Sequence, residues 1–184
     1  TVETIERKAF SNCTNLGTVT IKNGTKYIND YAFENAKIKT ITVPGSVKSI
    51  GEGSFYNCTL LETVTLNEGL ETIGKHSEYS TYPGAFEGCI SLKAITTPKT
   101  VKLIAANSFK GCQDLTTVNI KNGTVHKYSF IDNKSITSIT LGEGVSYIGD
   151  YAFAGCTGIK TVIIPSTVET IERKAFSNCT NLGT

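Results

Sequence analysis

The 184-residue chain has no tryptophan and no methionine, and it has only two histidines and four prolines. Neither His76 nor His126 stands in the spacing of a nucleophile pair or a metal-binding motif, and general acid–base chemistry needs convergent groups within hydrogen-bond reach. No glycine-rich phosphate loop precedes a helix. The sequence therefore predicts no catalytic residues, no metal and no cofactor. Neither sign of charge dominates: 18 Lys and Arg face 16 Asp and Glu, for a net charge of +2 without a basic cluster. A nucleic-acid partner is not expected from that balance. Apolar runs are only a few residues long, so no membrane insertion is expected either. With no initiator methionine and no charged-then-apolar leader, the chain reads as an excised or processed piece whose targeting information is missing.

What the chain does have is self-similarity. Its eight phenylalanines, Phe10, Phe33, Phe55, Phe86, Phe109, Phe130, Phe153 and Phe176, are separated by 23, 22, 31, 23, 21, 23 and 23 residues. Three residues after each Phe stands Cys13, Ala36, Cys58, Cys89, Cys112, Asn133, Cys156 or Cys179, which accounts for all six cysteines. Five residues before most of them is an Ile or Val. Downstream comes L-x-x-V-x-I or a close variant, as in Leu16, Val19 and Ile21 or Leu115, Val118 and Ile120. A unit of about 23 residues that cannot close a core alone can do so by stacking, each inward position lying against its copy about 4.8 Å away. Residues 1–184 are read as one solenoid of eight such units, the last truncated. Each unit is expected to contain a strand on V-x-I, a turn, a second short strand and a single helical turn around Ala-Phe. The fold class is thus an α/β repeat, mostly β, with a parallel sheet on one face.

The motif L-x-x-V-x-I followed by I-x-x-x-A-F-x-x-C resembles the BspA-like, or Treponema-type, leucine-rich repeats over the whole chain. Ordinary leucine-rich repeats carry Asn or Cys shortly after the strand, and this sequence does not. The resemblance implies a secreted or surface-attached protein of host-associated bacteria or parasitic protists. It further implies adhesion to host cells, other microbes or matrix proteins such as fibronectin and fibrinogen. The family motif consists of core positions, so no binding residue carries over.

Six cysteines invite a disulfide framework, but cysteines at one repeat position point inward in parallel at about the coil spacing of 4.8 Å, wider than the Cβ separation of about 3.8 Å that a disulfide prefers. Buried free thiols are the expectation, and no His shares their register to complete a metal site. Carboxylates such as Glu3, Glu6, Asp30, Glu52, Glu62, Asp150 and Glu172 fall at outward positions and read as solvated surface.

Two regions are candidates for binding. The fourth unit carries an insertion of eight residues within Gly74–Gly84, where His76, Tyr79 and Tyr82 would supply contact area on a surface loop. The outward strand positions form two lanes: Thr18, Thr40, Thr63, Thr117, Ser138 and Thr161, interrupted by Ala94, and Thr20, Thr42, Thr65, Thr96 and Thr140, with Asn119 and Ile163 as exceptions. Threonine is also simply a good residue for a half-exposed strand, and stacked T-x-T resembles the arrays of some ice-binding β-helices, although broken lanes count against that. Six N-x-S/T sequons, half of them the repeat's own N-C-T, matter only in a secreted eukaryotic setting.

Residues 1–18, TVETIERKAFSNCTNLGT, recur unchanged at 167–184. This second period of 166 residues suggests a super-repeat seven units long, or a chance overlap of one duplication. Two functions follow. One is a binding module for an extracellular protein ligand. The other is a stalk or filament segment in which uncapped ends associate head to tail.

Overall fold

Alternation of β-branched residues with outward polar ones favours extended backbone, and the strands lie where that alternation occurs. The computed structural model describes residues 2–75 and 81–183. Its strands are β1 (Thr4–Ile5), β2 (Tyr27–Ile28), β3 (Thr40–Val43), β4 (Ser49–Ile50), β5 (Thr63–Leu66), β6 (Thr72–Ile73), β7 (Ala94–Thr96), β8 (Leu103–Ile104), β9 (Thr117–Val125), β10 (Ser138–Ile148) and β11 (Thr170–Ile171). Every pairing is parallel. The main ladder runs β3-β5-β7-β9-β10, and the second runs β1-β2-β4-β6-β8-β9-β10-β11. Proline ends the main strand at Pro44, and Pro98 follows β7 closely, because its nitrogen has no hydrogen to donate. Where Asn122-Gly123 or Gly142-Glu143-Gly144 replaces it, β9 and β10 run through the corner and belong to both ladders. The result is a parallel β-solenoid of about seven turns.

The expected helical turns around Ala-Phe are absent; among the described residues there is no helix at all. Residues in the left-handed region occupy the second position before Phe in seven coils (Lys8, Tyr31, Gly53, Asn107, Tyr128, Tyr151, Lys174) and the second position after it in all eight (Asn12, Asn35, Asn57, Gly88, Gly111, Asp132, Gly155, Asn178). An α-helix requires consecutive right-handed residues and bonds four residues back. Here the amides alternate instead. Ala9, Ser11 and Cys13 bond three residues back, to Glu6, Lys8 and Phe10, while Lys8, Phe10 and Asn12 donate to Asp30, Ala32 and Glu34 of the next coil. The segment is a run of tight turns stitched sideways to its neighbour.

The V-x-I segments of the first and seventh units, residues 18–21 and 161–164, are not strands of a ladder. Among the described residues no backbone hydrogen bond joins them to the neighbouring coil. Ile163 is 79% exposed.

The core is a set of columns. Seven successive phenylalanine pairs stack with centroids 4.8–5.2 Å apart and planes within 8° of parallel. That spacing is the interstrand distance, so backbone pairing and offset ring stacking enforce the same repeat. The six inner rings are fully buried, whereas Phe10 and Phe176 at the ends are half-buried. The insertion leaves the column undisturbed. Phe55 donates its amide to Ala85 at 2.7 Å, and Gly84 re-enters the coil where a Cβ would lie 1.9 Å from the Asn107 carbonyl oxygen. Only glycine fits there.

Candidate binding face

The main ladder sets the geometry of the threonine lanes. Pairing aligns Thr40, Thr63, Ala94, Thr117 and Ser138 across five strands, and aligns Thr42 with Thr65 and Thr96 with Asn119 and Thr140. Between each pair of lane residues the intervening side chain points inward, as Ile41, Val64, Ile95 and Val118 do, all buried. Thr18, Thr20, Thr40, Thr42, Thr63, Thr65, Thr96, Thr117, Thr140 and Thr161 are all exposed, though Thr18, Thr20 and Thr161 sit on the end segments outside the ladder.

The lanes differ from the threonines that the fold uses structurally. Hydroxyls at the corners have structural partners: Thr25 Oγ1 donates to Val2 O at 3.0 Å, Thr100 Oγ1 to Leu70 O at 2.7 Å and Thr167 Oγ1 to Val145 O at 2.8 Å. Thr97, fully buried in the inward aliphatic lane, accepts the Lys121 amide at 3.2 Å. Among the described residues the lane hydroxyls make no hydrogen bond to the protein and remain available to water or a ligand.

The lanes are not a uniform plane. Only Thr63 and Ala94 are in register between β5 and β7, against four pairs between β3 and β5. Where the ladder loosens and Ala94 truncates the lane, a recess of about 510 Å³ opens, with Thr63, Thr65, Ala94 and Thr96 on its lining and Glu62, Glu68, Lys93 and Lys121 around it. Sequence reading placed the lanes but missed the recess. Ala94 in a threonine column, together with the longer coil that follows β5, was the available signal.

Of the proposed loop residues, His76 and Tyr79 lie outside the described residues. Tyr82 is 54% exposed, and its carbonyl accepts Asn107 Nδ2 at 3.1 Å. The structure therefore brings the threonine lanes together and does not describe a loop constellation.

The cysteines are free thiols, and five of them share one role. The Sγ of Cys58, Cys89, Cys112, Cys156 and Cys179 donates to the carbonyl of the Phe one coil earlier at 3.0–3.3 Å. In the sixth coil Asn133 Nδ2 does the same to Phe109 O at 2.7 Å. Burial pushes the thiols of Cys58 and Cys156 up to about 12 and raises Cys89, Cys112 and Cys179 as well. Such thiols are hydrogen-bond donors rather than nucleophiles. Among the described residues no group of three or more His, Cys, Asp or Glu is placed to hold a metal ion.

The family profile described as BspA type leucine rich repeat region (6 copies) matches residues 1–83 and 77–183. The chain belongs to the BspA-type leucine-rich repeat family. Among solved structures, it resembles a leucine-rich repeat protein from Eubacterium ventriosum with a TM-score of 0.64 and 22% identity, over 96% of this chain and 40% of that one. It resembles the pneumococcal vaccine antigen PcpA with a TM-score of 0.61 and 24% identity, over 95% of this chain and 51% of PcpA. The Treponema pallidum leucine-rich repeat protein matches with a TM-score of 0.50 and 20% identity, over 77% and 75% of the two chains. At these identities the likeness is one of fold. This BspA-type chain spans 40–63% of the length of the first three structures it matches. No curated protein matches its sequence.

Proposed function

We propose that the chain is a non-enzymatic, protein-binding repeat module of a secreted or cell-surface protein, and that it recognises an extracellular protein ligand through the threonine-lined sheet. One observation carries the reading: the lane hydroxyls of the main ladder, such as those of Thr40, Thr63 and Thr117, lie in register on a regular surface with a recess at Ala94, and among the described residues they make no hydrogen bond to the protein. Sheet faces of solenoids are extended interaction surfaces. Membership in the BspA-type family supports a surface repeat module, and a structural neighbour that is a vaccine antigen fits the same setting.

The test is binding of the intact chain to immobilised fibronectin, fibrinogen and whole host cells, compared with a Thr63→Lys, Thr65→Lys, Thr96→Lys variant and with a deletion of residues 75–82. Circular dichroism checks that each is folded. Loss of binding in the lysine variant alone is the expected result. Loss only on deletion would move the site to the insertion, and no binding by any form would leave this face without a protein ligand of that kind.

A further inference from the structure

The recess at Ala94 is held open by a residue of its own. The other strands of the main ladder place Val43, Leu66, Ile120 and Leu141, all buried, at the last inward position, but the coil of β7 places Thr97 there, fully buried. A buried hydroxyl and amide need partners, and both turn to β9: Thr97 N donates to Asn119 O at 2.9 Å, and Thr97 Oγ1 accepts the Lys121 amide at 3.2 Å. The end of β7 is thereby drawn to β9, and its pairing with β5 stops at Thr63 and Ala94. Thr65 and Leu66 keep their partners in β3, Thr96 keeps Asn119, and the gap lies between them.

The recess also carries an unmatched charge. Residues 62–68 all line it, an extended run of roughly 20 Å. Register through β7 sets Lys121 level with Asn67, at one end of that run. Lys121 is half-buried, and among the described residues its ammonium has no ion pair or hydrogen bond. Lys37 and Lys110, likewise half-buried, bond Thr59 Oγ1 at 2.8 Å and Glu87 at 3.1 Å. Glu68, beside Asn67, is already committed, because its two carboxylate oxygens accept the amides of Lys99 and Thr100 at 3.1 and 3.2 Å. Glu62, at the far end, stands between Lys39 and Lys93 of the adjoining coils.

We propose that this recess seats an acidic side chain from an extended segment of the protein ligand, with Lys121 as its counter-ion and the Thr65 and Thr96 hydroxyls as donors. Such an occupant presupposes the protein-binding role proposed for the threonine face. A carboxylate set between a partly desolvated ammonium and hydroxyl donors makes charge-assisted hydrogen bonds, roughly twice as strong as neutral ones. An extended peptide presents alternate side chains to one face, so a segment lying along residues 62–68 can turn an acid toward the recess at every second position. Thr97 is a positioning residue: it touches no ligand and acts by holding β7 away from β5.

The test is a titration of the full, isotope-labelled chain with a blocked peptide of alternating Ser and Glu, and with its Ser-Gln counterpart, followed by NMR at the amides of Thr65, Thr96 and Lys121. Saturable shifts with the Glu peptide alone are expected, weakened about five- to tenfold by Lys121→Gln, as for the loss of one charge-assisted contact. Thr97→Val should weaken binding by a similar factor and slow hydrogen exchange at the Leu66 and Thr96 amides as β7 closes on β5, while Thr97→Ser keeps the parent's behaviour in both. The Thr63→Lys, Thr65→Lys, Thr96→Lys variant separates shape from charge: it fills the recess with its stems and should lose the peptide, although it makes the face more basic. Equal shifts with the Gln peptide, unchanged affinity in Lys121→Gln, or tighter binding by the lysine variant would overturn the proposal, even where matrix proteins still bind this face. A chain that takes the Glu peptide in the recess but binds no matrix protein or host cell would support the acidic seat and overturn the wider reading instead.

Discussion

At the scale of single residues, the cysteine column shows how a repeat selects an unusual amino acid. The turn after each Phe leaves a carbonyl facing the next coil, and the site admits a side chain that is small, apolar in bulk and able to donate one weak hydrogen bond. A thiol meets all three demands. Asn133 meets the last, but its Oδ1 is buried without a partner. Asn133→Cys should therefore raise stability by about 1–2 kcal/mol, the usual cost of an unsatisfied buried polar atom, and chemical denaturation would read it. A loss of stability would mean that the amide has a further role. The sequence displayed the column, because period alone exposes it, but not its purpose, since the acceptor is a backbone atom one coil away. Reactivity follows from the same geometry. Cys13, half-buried in the first coil, should react with a small alkylating reagent well before the other thiols. Equal rates for all six would contradict the burial of the column.

At the scale of elements, the strands were legible and the turns were not. Alternation in segments such as Thr63–Leu66 states which side chains face inward whatever the neighbouring coil contains, and the structure keeps that alternation. Thr65→Ala should accordingly change stability by no more than about 0.5 kcal/mol, as for an exposed position without partners; a larger loss would turn the strand's outer face inward. Around Ala-Phe, the short spacing of small and aromatic residues imitates a helical turn. The contrary signal was Asn, Asp or Gly two residues after every Phe, the residue types that tolerate the left-handed region. Replacing Asn35 by Ala should cost about 1–2 kcal/mol, the penalty of placing a Cβ there, whereas Asn35→Gly should come close to the parent. Comparable melting of all three proteins would deny the left-handed turn. The recess at Ala94 was the least legible feature, since it arises from a gap in pairing between two coils rather than from any one segment.

At the scale of the whole molecule, stability is a sum over coils and the contacts between them. Removing one ring from the middle of the phenylalanine stack should be felt on both sides, and Phe109→Ala should cost about 3–5 kcal/mol, the range for a buried Phe. A near-zero change would place Phe109 outside the core. Alkali should act on the same interior. The folded-state thiol values lie above those of the unfolded chain, so fewer protons are bound after unfolding once the pH passes about 9, and stability falls from there towards about 12. Thermal melts between pH 8 and 11 should show the midpoint dropping across that window, and a flat profile would mean that the thiols titrate normally. The parallel pairing between coils has a mechanical consequence. Its hydrogen bonds run along the long axis of the stack, so tension applied between the two ends loads them one coil at a time, as in a zipper, rather than all together as in a sheared sheet. Each coil that peels away frees about 23 residues, or roughly 80 Å of extended backbone. Under pull the molecule should lengthen in small steps at low force, behaving as a compliant tether and not as a rigid rod.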